Sequence, residues 1–141
     1  MPKIRYKYKS VVVSDKPYKY DLMPIIPITI SHKEKKLNVE ALIDSGANRC
    51  FCPVEIGQAL KIPLEECSKS GLSGIGGSIE IFIHQLDIGL EYGKFKFSAD
   101  VGFGEFSFPG FSFILGQKDF FENVNIFFER RKEHLELHLP K

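Results

Sequence analysis

The segment Ala41-Leu42-Ile43-Asp44-Ser45-Gly46-Ala47 ends an apolar run abruptly on a carboxylate, a hydroxyl and a glycine. Burying an unpaired carboxylate is costly, and such a group usually takes up a proton or finds a partner. Asp44 is therefore a candidate for acid–base chemistry. Close by, Cys50 and Cys52 form a Cys-x-Cys pair. A zinc site would need further ligands at suitable spacing, and buried small hydrophobes are the better reading of both thiols. His134 and His138 stand four apart, a metal-binding spacing on a helix. Leu135, Leu137 and Leu139 alternate with them, however, so the segment reads as a strand with His134, Glu136 and His138 on its wet face. Neither a metal nor a cofactor is expected.

Ser70 to Ser78 carries four glycines within seven residues, Gly71, Gly74, Gly76 and Gly77. Glycines at this density mark a turn or a close backbone approach. A phosphate-cradling loop must open a helix. Here Ile79-Glu80-Ile81-Phe82-Ile83 alternates as a strand, so the glycines read as the tip of a hairpin.

The elements that must hold these residues follow a period of two over most of the chain, which predicts an all-β protein. Ile4, Tyr6 and Tyr8 alternate with Lys3, Arg5, Lys7 and Lys9 as an edge strand with a charged face. A hairpin is predicted from Ile28-Thr29-Ile30, a polar turn at His32 to Lys36, and the alternating Leu37, Val39, Ala41 and Ile43, so that its second strand delivers Asp44. Pro53 to Leu60 reads as a short helix with proline at its start. Residues 79–91 and 95–103 form another hairpin around Tyr92-Gly93. Phe103, Phe106, Phe108, Phe111 and Phe113 read chiefly as core, with some rings available to line an apolar groove. Gln117 to Asn123 reads as a second short helix, with Asp119 in its first turn favouring the helix dipole. Ile126 to Leu139 completes a last hairpin.

At 141 residues the chain is one domain, and its 43% hydrophobic content and net charge of +1 describe an ordinary globular protein. This balance argues against nucleic acid as a partner. Charge is unevenly spread: residues 1–20 carry six cations against Asp15, a net +5, and the remainder is −4. Three cysteines without a secretory signal point to reduced thiols and a cytoplasmic location. No apolar run approaches the roughly 20 residues of a membrane helix, so no membrane partner is expected.

Three of these motifs, taken in order, resemble one family. Leu42-Ile43-Asp44-Ser45-Gly46-Ala47 is similar to the active-site motif of the retropepsin-like aspartic proteases, the single-lobe relatives of pepsin that include the retroviral enzymes. Gly74-Ile75-Gly76-Gly77 is similar to their flap tip, and Ile114-Leu115-Gly116 to the segment that closes under the active-site loop. The helix from Pro53, with Ile62-Pro63 after it, resembles bacterial members. The resemblance covers residues 24–128 and implies a single-lobe closed β-barrel with one or two short helices and a flap hairpin, within one domain spanning 1–141. Residues 1–23 form an N-terminal extension longer than the family's usual first strand. The C-terminal hairpin, 126–139, replaces the brief terminal strand with which retroviral members build their dimer.

What the resemblance implies is an aspartic endopeptidase acting on a peptide or protein substrate. One Asp-Ser-Gly per chain means that a homodimer must supply the second Asp44. Asp44, Ser45 and Gly46 would be catalytic, the Ser45 hydroxyl linking the two loops and Gly46 letting backbone N–H groups approach the carboxylates. Ala47, Gly74, Ile75, Gly76, Gly77, Ile114, Leu115 and Gly116 would contact the substrate. The alternative is a catalytically inactive module of the same fold used for dimerisation or peptide binding.

Overall fold

Alternating isoleucines build the first wall of the molecule. In β4 (Ile25–His32), Ile26, Ile28 and Ile30 turn inward and are buried, while Pro27 and Thr29 turn out. β5 (Lys35–Ile43) pairs with it antiparallel from Ile25–Leu42 to His32–Lys35, and its Ala41 and Ile43 join the same inner face. Full burial of an isoleucine is worth about 1.5–3 kcal/mol, so this alternation fixes which face of β5 is core. Leu42 and the residue after Ile43 then belong to the opposite face.

The structure is a computed structural model that describes residues 2–74 and 77–140. Beyond β5 come β6 (Phe51–Pro53), α1 (Val54–Ala59), β7 (Ser68–Gly74), β8 (Gly77–Leu90), β9 (Phe95–Gly104) and β10 (Phe113–Leu115). They form a sheet in the order β4-β5-β10-β6-β9-β8-β7. β4 also pairs with β8, through Thr29–Gly89, Ile30–Ile88 and Ser31–Asp87, and this contact closes six of the strands into a ring. Closure covers the β4 edge and leaves β7, paired with β8 alone among the described strands, outside the ring. The ring encloses Ile30, Ala41, Cys52, Ile88, Leu90, Val101, Phe103, Phe113 and Leu115, all fully buried. The all-β single-lobe expectation therefore holds, with β7 and β8 as the hairpin that carries the glycine-rich tip.

The N-terminal extension is two elements. β1 (Lys3–Lys7) lies at one edge of a second sheet, β1-β12-β11, formed with β11 (Asn125–Glu129) and β12 (His134–His138). Ile4, Leu135 and Leu137 turn its inner face onto the barrel core. β2 (Lys9–Asp15) and β3 (Tyr18–Met23) pair with each other as a separate ribbon.

Two local expectations are revised. His134 and His138 face outward but are not fully wet: their side chains are 18% and 16% exposed. Phe127 lies against the His138 ring at 4.3 Å, and Glu136, which pairs with Arg5, accepts from His138. Gln117 to Asn123 is not a regular helix. Lys118 is extended and Asp119 has φ 72°, so the segment is a kinked turn. Asp119 does not serve a helix dipole there. Its Oδ2 accepts from the Asp100 N–H at 2.9 Å and ties the turn to β9. No helix among the described residues is long and apolar enough to cross a membrane.

Candidate active site

Asp44 follows β5 directly and is half-buried, on the strand's outer face as the alternation requires. Its carboxylate is not left unsatisfied. Oδ1 accepts from the Gly46 N–H at 2.9 Å, the tight side-chain-to-backbone turn that aspartate makes with the residue two ahead. A β-carbon on Gly46 would lie 3.2 Å from that same oxygen, so glycine leaves the approach free. The Ala47 N–H closes the turn onto the Asp44 carbonyl at 3.2 Å. The result is a short loop with a fixed carboxylate and exposed residues at Ser45 and Gly46.

A second loop clamps the first. The Asp44 N–H donates to the Leu115 carbonyl at 2.9 Å, continuing the parallel pairing of β5 with β10. The Gln117 and Lys118 N–H groups donate to the carbonyls of Ala47 and Asn48 at 2.8 and 3.1 Å. The Gln117 side chain adds a bond from Nε2 to the Ser45 carbonyl at 2.8 Å. Gly116 sits where these strands of backbone come closest. A β-carbon there would stand 2.1 Å from the Arg49 carbonyl oxygen and 2.8 Å from that of Ala47. Only glycine fits that approach.

The structure thus brings Asp44, Ser45, Gly46 and Ala47 together with Ile114, Leu115 and Gly116. Leu115 and Gly116, expected against a substrate, are buried within the chain and support the loop from below. Ile114 is half-exposed on the same outer face as Leu42, its pairing partner. From there a transverse row of paired residues runs Leu42, Ile114, Phe51, Gly102, Ile83, from the strand that bears Asp44 to the strand of the flap hairpin. Gly74 and Gly77 pair at the end of that hairpin, and Ile75 and Gly76 lie outside the described residues.

Aromatic rings extend the row sideways. Phe51 meets Phe106 edge-on at 5.7 Å, Phe106 stacks on Phe108 at 5.4 Å, and Phe108 stacks on Phe111 at 5.0 Å. The three loop rings are half-exposed and continue the apolar surface from Phe51.

Cys50 and Cys52 pack in the barrel core. Both are fully buried, and burial pushes the Cys50 thiol up to about 12 and the Cys52 thiol higher still. No cluster of three or more His, Cys, Asp or Glu suited to a metal occurs among the described residues.

Gln117 carries a site contact that its sequence context does not announce. It follows Ile114-Leu115-Gly116 directly, and that adjacency is its one signal.

No family model and no curated protein matches this sequence. Solved structures do match. A retropepsin-like aspartic protease from Rickettsia conorii aligns over 96% of this chain and 98% of its own, with a TM-score of 0.61 and 12% identity. EIAV protease complexed with the inhibitor HBY-793 is 22% identical over 67% of this chain and 82% of its own, with a TM-score of 0.49. The fold is that of the retropepsin-like aspartic proteases.

Proposed function

We propose that this chain is an aspartic endopeptidase whose active site forms when two copies bring their Asp44 carboxylates together. The observation that carries this reading is the build of the Asp44 loop: a carboxylate held in place by Gly46, clamped by the 115–118 segment, and left accessible at the surface of the barrel. A structural aspartate in a turn needs no such second layer of support. The likeness in fold to retropepsin-like aspartic proteases supports the same reading.

Each chain supplies one carboxylate, so the second comes from the twofold mate. Two carboxylates about 3 Å apart cannot both ionise, and the pair holds one proton between them. The ionised member takes a proton from water as the water adds to the scissile carbonyl, while the protonated member donates to the carbonyl oxygen. The tetrahedral intermediate then collapses, the C–N bond breaks, and the leaving amine receives a proton from the dyad. Water is consumed, and neither a metal nor a covalent intermediate is needed. The exposed hydroxyl of Ser45 bonds across the pair of loops in this reading. Ile114, Leu42 and the rings of Phe106 and Phe108 form an apolar wall for an extended peptide. The hairpin ending at Gly74 and Gly77 covers that peptide and excludes water. Leu115 and Gly116 act beneath the loop rather than on the substrate.

Cleavage of an unstructured protein, compared between the wild type and Asp44→Asn, tests this reading. The expected result is a mildly acidic optimum for the wild type and a loss of about 10³-fold or more in the variant, with fold and dimer intact. A variant as active as the wild type, or a dimer that binds peptides and never cleaves them, would overturn it. The second outcome would make the chain a binding module of the same fold.

A further inference from the structure

The β2–β3 ribbon, residues 9–23, is the part of this chain whose place in the fold the barrel does not explain. It pairs with no other strand. An isolated two-stranded hairpin is marginal in water, so something must cover it. One face is covered by the chain itself. Val11 is 6% exposed and packs on Gly110, where a β-carbon would stand 2.7 Å from Val11 Cγ1, and Lys9 pairs with Glu40 of β5. The other face is open. Val12 and Tyr20 oppose each other across the ribbon at 44% and 62% exposure, and Tyr18 near the turn is 70% exposed.

The base of the ribbon lies beside the site. β3 ends at Met23, and the carbonyl of the next residue, Pro24, accepts from the N–H of Ile43, one residue before Asp44. Two Asp44 residues that share a proton lie together on a twofold axis, so both ribbons start near that axis. Seven residues of β2 reach about 20 Å, enough to cross from one copy to the other. Net charge does not oppose the crossing. Residues 9–23 carry Lys9, Lys16 and Lys19 against Asp15 and Asp21, a net +1, and a whole second copy is also only +1. The terminal strands cannot exchange freely between copies, because β1 and β12 are already paired with each other over five residues.

We propose that the β2–β3 ribbon is the dimerisation arm of this protein, its Val12–Tyr20 face clasping a second copy of the chain. The proposal rests on the dyad reading above, since it is the shared site that requires the second copy. The arm completes the site from outside it, holding the two Asp44 loops in register.

Sedimentation equilibrium and cleavage assays on Val12→Asp, Tyr20→Asp, Phe128→Asp and Asp44→Asn, each checked for an unchanged circular dichroism spectrum, test it. Both ribbon residues are exposed, so the barrel folds without them. The expected result is that either ribbon variant raises the dimer dissociation constant at least tenfold. Activity per chain then falls at low concentration and returns at high concentration. A ribbon variant that dimerises like the wild type overturns the proposal. So does a dimer lost in Phe128→Asp alone, which would place the interface on β11, or a ribbon variant that raises KM with the dimer unchanged, which would make the ribbon a substrate wall. Asp44→Asn reports separately on the dyad: still active, it overturns the chemistry and leaves the arm standing; inactive and dimeric, it leaves the chemistry standing whatever the ribbon variants do.

Discussion

The side-chain amide of Gln117 donates to the Ser45 carbonyl at 2.8 Å, while the Gln117 backbone N–H donates to the Ala47 carbonyl at the same distance. One residue therefore spans the exposed turn that carries the carboxylate. The loop is short and its own internal bonds are few, so its position is set largely from the 115–118 side. Rigid support of this kind matters because a displacement of about 1 Å at a reacting group costs on the order of 10²-fold in rate.

Gln117→Ala removes the side-chain bond and keeps the backbone one. The Ser45 carbonyl is exposed and regains a bond to water, so the stability cost is about 1 kcal/mol. The rate cost is larger, a fall in kcat of about 10- to 100-fold with KM little changed, because positioning is lost and apolar contacts to substrate are kept. Steady-state kinetics alongside a denaturant titration separates the two effects. A fall in stability with kcat unchanged would show that Gln117 serves the fold alone.

Gly116→Ala tests the closest approach in the structure. The added carbon would meet the Arg49 carbonyl at 2.1 Å, and backbone held by several bonds on both sides cannot yield. The expected loss is about 3 kcal/mol, seen as a lower denaturant midpoint at unchanged slope. Gly71→Ala is the control. A β-carbon there meets nothing within 4 Å, so its midpoint stays within about 0.5 kcal/mol of the wild type.

Asp44 was legible in the sequence because a carboxylate that ends an apolar run needs a proton or a partner; that it turns to the outer face is what the alternation of Ala41 and Ile43 adds in the structure. The β4–β5, β8–β9 and β11–β12 hairpins were legible because strand alternation is a local signal. Contacts that depend on distant partners were not. Gln117 reaches a carbonyl 72 residues away, and nothing periodic marks it. β1 finds β12 at the other end of the chain. Asp119 was misread because Gln117 to Asn123 has a helix-like composition. The bonds that the Asp119 carboxylate accepts from the Asp100 N–H and that the Asp119 N–H donates to the Glu122 carboxylate instead hold the residue at positive φ. Residues 9–23 alternate too weakly to reveal a ribbon, since a bulge between Val12 and Ser14 breaks the register.

Stability should fall steeply in alkali. Burial holds the Cys50 thiol up to about 12 and the Cys52 thiol above that, and it raises the Tyr6 hydroxyl to about 12 with Glu91 adding to the shift. In the unfolded chain these groups ionise near 9 and 10, so above those values the folded state binds more protons than the unfolded one. The stability they contribute is complete below about pH 9 and is lost as pH rises from there towards 12. Each buried thiol contributes a slope of about 1.4 kcal/mol per pH unit within that window. The thermal midpoint measured from pH 7 to 11 should be level at first and then drop. In Cys50→Ala/Cys52→Ala the neutral midpoint is lower, because two packed sulfurs are gone, and the drop between pH 9 and 10 is flattened, leaving the part due to Tyr6 at higher pH. A wild-type midpoint that stays level to pH 11 would mean that the thiols reach water, and that the barrel interior is looser around Cys50 and Cys52 than their burial indicates.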